Sequence, residues 1–473
     1  MYRGRGVDMF RPNIQNGTDT RKIKKKHIVL IGGGFAGLNF ARGLYNNKFY
    51  QVTVVDKNNY NLFTPLLYQV ATGFLEPSAI SYPFRKLFKK KDINFRMSVL
   101  LKVNSRKNKV YLSDGGTLDY DLLVFATGTK TNFYGNKSLR SNSFSVKGID
   151  DALYMRNELI KTLEKASIEH DPLEKQKLLT IVIAGGGATG VELAGMLAEL
   201  KNCILGMDYP GLANETMRIY LIEVGPNLLG PMSDKTHKAA LKEIQKLGIE
   251  VKLNTRVNCY GNDNVLLSDG EIIETKTLIW TGGVTANTYD GISLDTIGKG
   301  NRMVTDSFNK VSGYDNIYAI GDISIQYADP NYPNGHPQLA QPAIQQGSTL
   351  AKNLVLLAKG KEMVPFKYFD RGDMAVIGRK WAVADLFKHR LHVGGLLGLL
   401  SWLFIHLISL VNYNNKIKTL YNWSIAFITH DQVLRMVFRS ENREREYVAK
   451  RKTVKLKNSL LKGGQHLNIL QEK

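Results

Sequence analysis

A glycine fingerprint occurs twice in this chain, 153 positions apart. Gly32, Gly34 and Gly37 stand in GxGxxG register in IVLIGGGFAGL, and Gly185, Gly187 and Gly190 in TIVIAGGGATGVE. Each copy follows an apolar, β-branched run and opens a run of small residues. Each therefore predicts a strand, a tight turn and a helix whose free N–H groups face a pyrophosphate. Further on, VYLSDGGTLDYDLLVFATG from Val110 matches VLLSDGEIIETKTLIWTGG from Val265, an offset of 155. A domain has been duplicated. The expected fold class is α/β, with two Rossmann-like dinucleotide-binding domains. Two nucleotides held in one chain suggest that one passes electrons to the other.

The acids after each fingerprint refine the reading. Asp56 ends QVTVVD, 19 residues past Gly37, where a ribose hydroxyl needs an acceptor. Glu223 ends IYLIE, 33 residues past Gly190. An acid there repels a 2′-phosphate, so the second site is expected to take NADH rather than NADPH. Asp322 closes IYAIGD at a predicted strand end, and Asp114–Gly115 is a hairpin turn signal.

The net charge is +22, and the two ends carry much of it. Residues 1–26 hold eight basic and two acidic residues, and residues 439–473 hold ten and four. Such ends suit an anionic surface or are solvated tails. They contain few aromatics, so base stacking is poorly supported and no nucleic-acid partner is expected. The two cysteines, Cys203 and Cys259, form no CxxC or CxxxxC pair, which argues against a disulfide framework or a dithiol centre. No metal motif appears. The segment MYRGRGVDMFRPN lacks an apolar core, so no secretory signal is expected.

The C-terminal part differs in kind. VGGLLGLLSWLFIHLISLV, residues 393–411, carries no formal charge, and TLYNWSIAFITHDQVLRMVF follows at 419–438. Trp402, Tyr421 and Trp423 are rings of the type that sit at headgroup depth, and Lys416, Lys418 and Arg435 are placed to meet phosphates. The reading adopted is amphipathic helices lying in one leaflet. A transmembrane span and a buried core helix are the alternatives.

AIGD resembles the second FAD signature of two-dinucleotide-domain flavoprotein oxidoreductases, whose aspartate binds the ribityl chain, and Thr127–Gly128 in FATG resembles its companion. Within that superfamily the chain is similar to type II NADH:quinone oxidoreductases. The carrying segments are IGGGFAGL, NLFTPLLYQVATG (61–73), FATG, AGGGATGVELAG (184–195), AIGD and AQPAIQQG (340–347), with the amphipathic C-terminus. The resemblance implies FAD and NAD as cofactors, and a membrane quinone, ubiquinone or menaquinone, as acceptor. It divides the chain into a basic arm (1–26), an FAD-binding domain (27–150 and 296–380) and an inserted NADH-binding domain (151–295). Membrane-association helices (381–440) and a basic tail (441–473) follow.

The resemblance also assigns roles. Gln341 and Gln345 would border the quinone channel, on a helix whose N-terminus can stabilise negative charge on reduced flavin. Glu192 would relay protons from a buried site, or is simply a first-turn acid. Lys380 would stand near the quinone head, or is a surface lysine. The enzyme would sit peripherally on the cytoplasmic face of an inner or plasma membrane and would not pump protons. Its apolar C-terminal surface would also suit a homodimer. The rival readings are a soluble reductase for a ferredoxin-like partner and a non-catalytic redox-sensing flavoprotein.

Overall fold

The computed structural model describes residues 24–212, 215, 217–387, 390–429 and 436–437. The basic arm before residue 24, the tail 441–473 and Arg435 lie outside the described residues. The chain forms two compact units.

The first unit comprises the chain up to Asn59, Phe84–Gly128 and Asn287–Tyr368. Its main sheet has five parallel strands in the order Ile317–Ala319, Leu122–Phe125, Lys26–Ile31, Tyr50–Asp56 and Ile93–Met97. Ile28, Val29 and Leu30 are fully buried. This is why the strand reads as a continuous apolar run rather than an alternating one. Four of the strands precede the interruption at 129–286 and one, Ile317–Ala319, follows it, so the unit is discontinuous in sequence. The helix Phe35–Gly43 packs on Ala340–Ala358. Contact is close enough that a Cβ on Gly347 would strike the Ala36 carbonyl oxygen. The Asp114–Gly115 turn joins Lys109–Leu112 to Thr117–Asp119, and Asp114 pairs with Arg96 at 2.8 Å.

The second unit comprises Tyr60–Pro83, Thr129–Ala286 and the chain from Phe369. Its parallel sheet runs Glu250–Lys252, Arg218–Ile222, Thr180–Ala184 and Thr277–Trp280. The repeated hairpin recurs as Val257–Gly261, Asn264–Leu267 and Ile272–Glu274. Three segments expected in the FAD-binding domain, 60–83, 129–150 and 369–380, group here instead. Packing explains two of them. Residues 77–83 are held by Asn415, whose Nδ2 donates to the carbonyls of Ser78, Ala79 and Ser81 at 3.1, 2.8 and 2.9 Å. Gly372–Ile377 is the outer strand of an antiparallel sheet with Trp381–Leu386 and Leu391–Gly394.

That sheet leads into two helices, Gly395–Ser409 and Tyr413–Thr429. The first has 15 residues. It rises about 22 Å, short of the about 30 Å of a hydrocarbon core. Among the described residues no helix is long and apolar enough to cross a membrane. One expectation for this region fails. Trp402 is 1 % exposed, so it is a core ring and not a headgroup anchor. Lys416 Nζ donates to the Ile408 carbonyl at 2.8 Å, where it satisfies a helix C-terminus.

Candidate functional site

In the first unit the fingerprint divides its labour among three glycines. Gly32 has φ 99°, a left-handed value that L side chains rarely adopt. A Cβ on Gly37 would collide with the Gly32 carbonyl oxygen. A Cβ on Gly34 would meet nothing within 4 Å. The middle glycine therefore faces open space at the N-terminus of Phe35–Gly43, which is the room a pyrophosphate needs. Asp56 Oδ2 accepts from Gly33 N at 2.7 Å, and Oδ1 from Asn58 N at 2.8 Å. Burial raises its pKa, and these two N–H groups offset the shift in part.

Asp322 follows the strand Ile317–Ala319 in a single 3-10 turn. Its carbonyl accepts from Gln338 Nε2 at 3.2 Å, and the Arg302 guanidinium lies within its electrostatic reach. Thr127 and Gly128 follow the neighbouring strand Leu122–Phe125, Gly128 with φ 63°. Gln346 ties the helix to this corner by accepting from Gly321 N at 2.6 Å. Gln341 and Gln345, on the same helix, are half-buried. The first unit thus carries Gly32, Gly34, Gly37, Asp56, Thr127, Gly128 and Asp322, with Gln341 and Gln345 on the helix that Gln346 ties to this corner. The free space at Gly34 and the acid at the strand end fit FAD.

The second unit repeats the geometry. Gly185 has φ 114°, a Cβ on Gly190 would hit the Gly185 carbonyl oxygen, and Gly187 again faces open space. Glu223 accepts from Gly186 N at 2.5 Å and Gly225 N at 2.7 Å. These contacts hold its carboxylate beside the cradle, and they fit NADH.

A second feature of this unit is a cavity of about 450 Å³. Its walls are mostly Leu, Phe, Trp and Met from the two C-terminal helices, with Gln69, Arg379 and Ser424 as the polar exceptions. The Arg379 guanidinium lies over the Phe74 ring at 5.6 Å, and the Arg379 backbone N–H donates to Glu199 Oε1 at 3.1 Å. Lys380, the residue singled out from the sequence, is exposed and does not line the cavity. Its neighbour Arg379 does. No sequence signal separated the two in IGRKWA.

Glu192 is 7 % exposed, in the second turn of Ala188–Asp208. Burial pushes its pKa up to about 8. The Val376 N–H at 3.4 Å and the nearby Trp402 indole offset this only partly. A carboxyl that stays protonated at neutral pH can hold and release a proton. Tyr68, buried beside it, has its own pKa raised by burial and then by the Glu192 charge. Among the described residues no cluster of metal-ligating side chains occurs.

Two nucleotide cradles and a buried, proton-holding carboxyl in one α/β chain define a flavoprotein oxidoreductase of the two-dinucleotide class. Residues 26–347 match the family model described as pyridine nucleotide-disulphide oxidoreductase. The type II NADH:quinone oxidoreductase NdhA of Mycobacterium tuberculosis is 32% identical over 85% of this chain and 87% of its own. The type II NADH:quinone oxidoreductase of Haemophilus influenzae is 29% identical over 76% and 87%. NDH2 from Plasmodium falciparum, solved in complex with NADH, shares the fold with a TM-score of 0.80. It is 21% identical over 88% of this chain and 100% of that one. The chain belongs to the pyridine nucleotide-disulphide oxidoreductases and, within them, to the type II NADH:quinone oxidoreductases.

Proposed function

We propose that this chain oxidises NADH on its second unit and reduces a quinone that enters the apolar cavity of that unit from the membrane. The activity, with FAD and NAD as cofactors, follows from the family. The observation that carries the route is the cavity, built largely from the two C-terminal helices.

FAD, when bound, supplies the two-electron relay between NADH and quinone. The chain's own residues bind, orient and protonate. Gly34 would leave room for the FAD pyrophosphate, and Asp56, held beside that cradle by Gly33 N, would accept from a ribose hydroxyl. Gly187 and Glu223 do the same for NADH. Asp322, with Thr127 and Gly128, holds the far part of FAD. Glu192 holds one proton at neutral pH and releases it toward the quinone. Gln341 and Gln345 are assigned to the quinone route on the family resemblance. Lys380, exposed, is given no part in the cavity.

The helices Gly395–Ser409 and Tyr413–Thr429 are proposed to lie on the cytoplasmic leaflet. Leu396, Leu397, Leu400, Phe404 and Ile408 on the first, and Ile417, Tyr421 and Ile428 on the second, are exposed apolar residues. So much apolar surface on two neighbouring helices suits lipid.

An anaerobic stopped-flow experiment on detergent-purified protein tests the cycle. NADH should bleach the visible flavin band, and a short-chain quinone should restore it. Bleaching without recovery on quinone addition would defeat the assignment of the acceptor.

A further inference from the structure

Gln69 is the polar exception on the cavity wall contributed by the short helix Leu67–Ala71. Its side chain is 6 % exposed. Trp423 Nε1 donates to Gln69 Oε1 at 2.8 Å. An indole nitrogen can only donate, so this contact fixes which end of the amide is oxygen. The amide nitrogen then faces Tyr68, and Nε2 donates to the phenol oxygen at 3.1 Å. An amide nitrogen carries two hydrogens. The second has no acceptor among the described residues. A buried N–H left without an acceptor is unfavourable, and here it belongs to a residue lining an apolar cavity.

We propose that Gln69 donates this remaining N–H to a carbonyl oxygen of the quinone and so positions the ring in the cavity. Trp423 and Tyr68 act as positioning residues, one holding the amide oxygen and the other taking the first hydrogen. The proposal rests on the reading of the cavity as the quinone site. It explains why a wall otherwise suited to an isoprenoid carries an oriented amide. Negative charge growing on the carbonyl oxygen during reduction strengthens such a bond.

The test uses full-length, FAD-loaded enzyme in detergent and a short-chain quinone labelled with ¹³C at its carbonyls. Gln69→Met keeps the length and removes the donor. It should raise the quinone KM about tenfold or more. It should also move the infrared carbonyl stretch of the bound quinone toward the value for an apolar solvent. A purely structural role for Gln69 would not move that band in protein that retains its flavin. Trp423→Phe keeps a ring and removes only the contact that orients the amide. It should shift the band part of the way, and it decides the matter should Gln69→Met fail to fold. A carbonyl band unchanged in both variants would overturn the proposal. Ser424→Trp, which narrows the same cavity from an exposed position, separates the two levels. If it leaves quinone KM unchanged, the cavity is not the quinone site. If it raises KM while Gln69→Met does not, the cavity stands and only the role of Gln69 falls.

Discussion

The indole of Trp402 stacks on the imidazole of His406, with ring centroids 4.0 Å apart and planes 21° apart. The same imidazole bonds through Nδ1 to the Trp402 carbonyl at 2.8 Å, one turn back on the helix. A carbonyl only accepts, so the proton is on Nδ1. Burial pushes the pKa of the ring down to about 4, so it is neutral at pH 7.

A depressed histidine pKa stabilises the fold above the unfolded value of about 6.5, and that stability is lost as pH falls toward the folded value. Between pH 7 and pH 5 this site should cost about 2 kcal/mol. Denaturant unfolding followed by tryptophan fluorescence at both pH values should show the loss. His406→Gln should remove that part of the slope. Equal slopes in the two proteins would mean that the ring is not held neutral.

Glu192 works in the opposite direction. Its folded pKa, about 8, lies above the ordinary value of 4.5. Its contribution to stability is fully present below about pH 4.5 and fades as pH rises through about 8. Glu192→Gln, which cannot ionise, should gain on the wild type by about 2–4 kcal/mol between pH 5 and pH 8. Quinone reduction by the wild type should fall with an apparent pKa near 8, and the variant should be slow and flat across that range. A wild-type stability curve parallel to that of the variant would show a carboxylate already ionised at neutral pH.

Much of this was legible in the sequence because each nucleotide site is local. A strand, three glycines and one acid specify a cradle whatever surrounds them, and Asp56 and Glu223 stand where the spacing put them. The cavity was not legible, because it is assembled from Gln69, Arg379, Trp402 and Trp423, which lie far apart in the chain. The segment YQVATG marked the family but gave Gln69 no task. Trp402 and Trp423 were expected at headgroup depth, since composition cannot tell a ring facing lipid from one facing inward. Helical phase decides that, and the run 393–411 is apolar almost all round. The choice of Lys380 missed the cavity by one position, because at the turn after Ile377 adjacent side chains point to opposite sides.

The two outer fingerprint glycines and the middle one should fail differently. A Cβ on Gly190 meets the Gly185 carbonyl, whereas a Cβ on Gly187 meets nothing. Gly187→Ala should fold, keep its flavin and lose NADH affinity, with KM raised about tenfold or more as the methyl fills the pyrophosphate space. Gly190→Ala should lower the melting temperature by several degrees, as a forced backbone shift would. Flavin absorption, thermal melts and NADH titration of the flavin band separate the two. If Gly187→Ala bound NADH normally, the second cradle would not be the NADH site.

Deleting the chain from Gly394 onward is not a clean test of membrane attachment, because Leu399 and Trp402 are core residues, 3 % and 1 % exposed. Truncation would open the hydrophobic core and confuse detachment with unfolding. The exposed face offers a cleaner variant. Leu396 and Leu397 are 62 % and 68 % exposed and do not line the cavity, so replacing both with Gln should cost the fold little. Each buried apolar side chain contributes about 1.5–3 kcal/mol to an apolar phase, so the double variant should weaken vesicle binding by at least tenfold. In a sedimentation assay with anionic lipid vesicles it should stay in the supernatant while retaining flavin and NADH:ferricyanide activity. Oxidation of NADH by a long-chain quinone embedded in the vesicles should fall in step with binding, whereas a water-soluble short-chain quinone should still be reduced. If the variant still pelleted with vesicles, these helices would not be the attachment surface. If it detached yet reduced the embedded quinone at the wild-type rate, the cavity would not open toward the lipid.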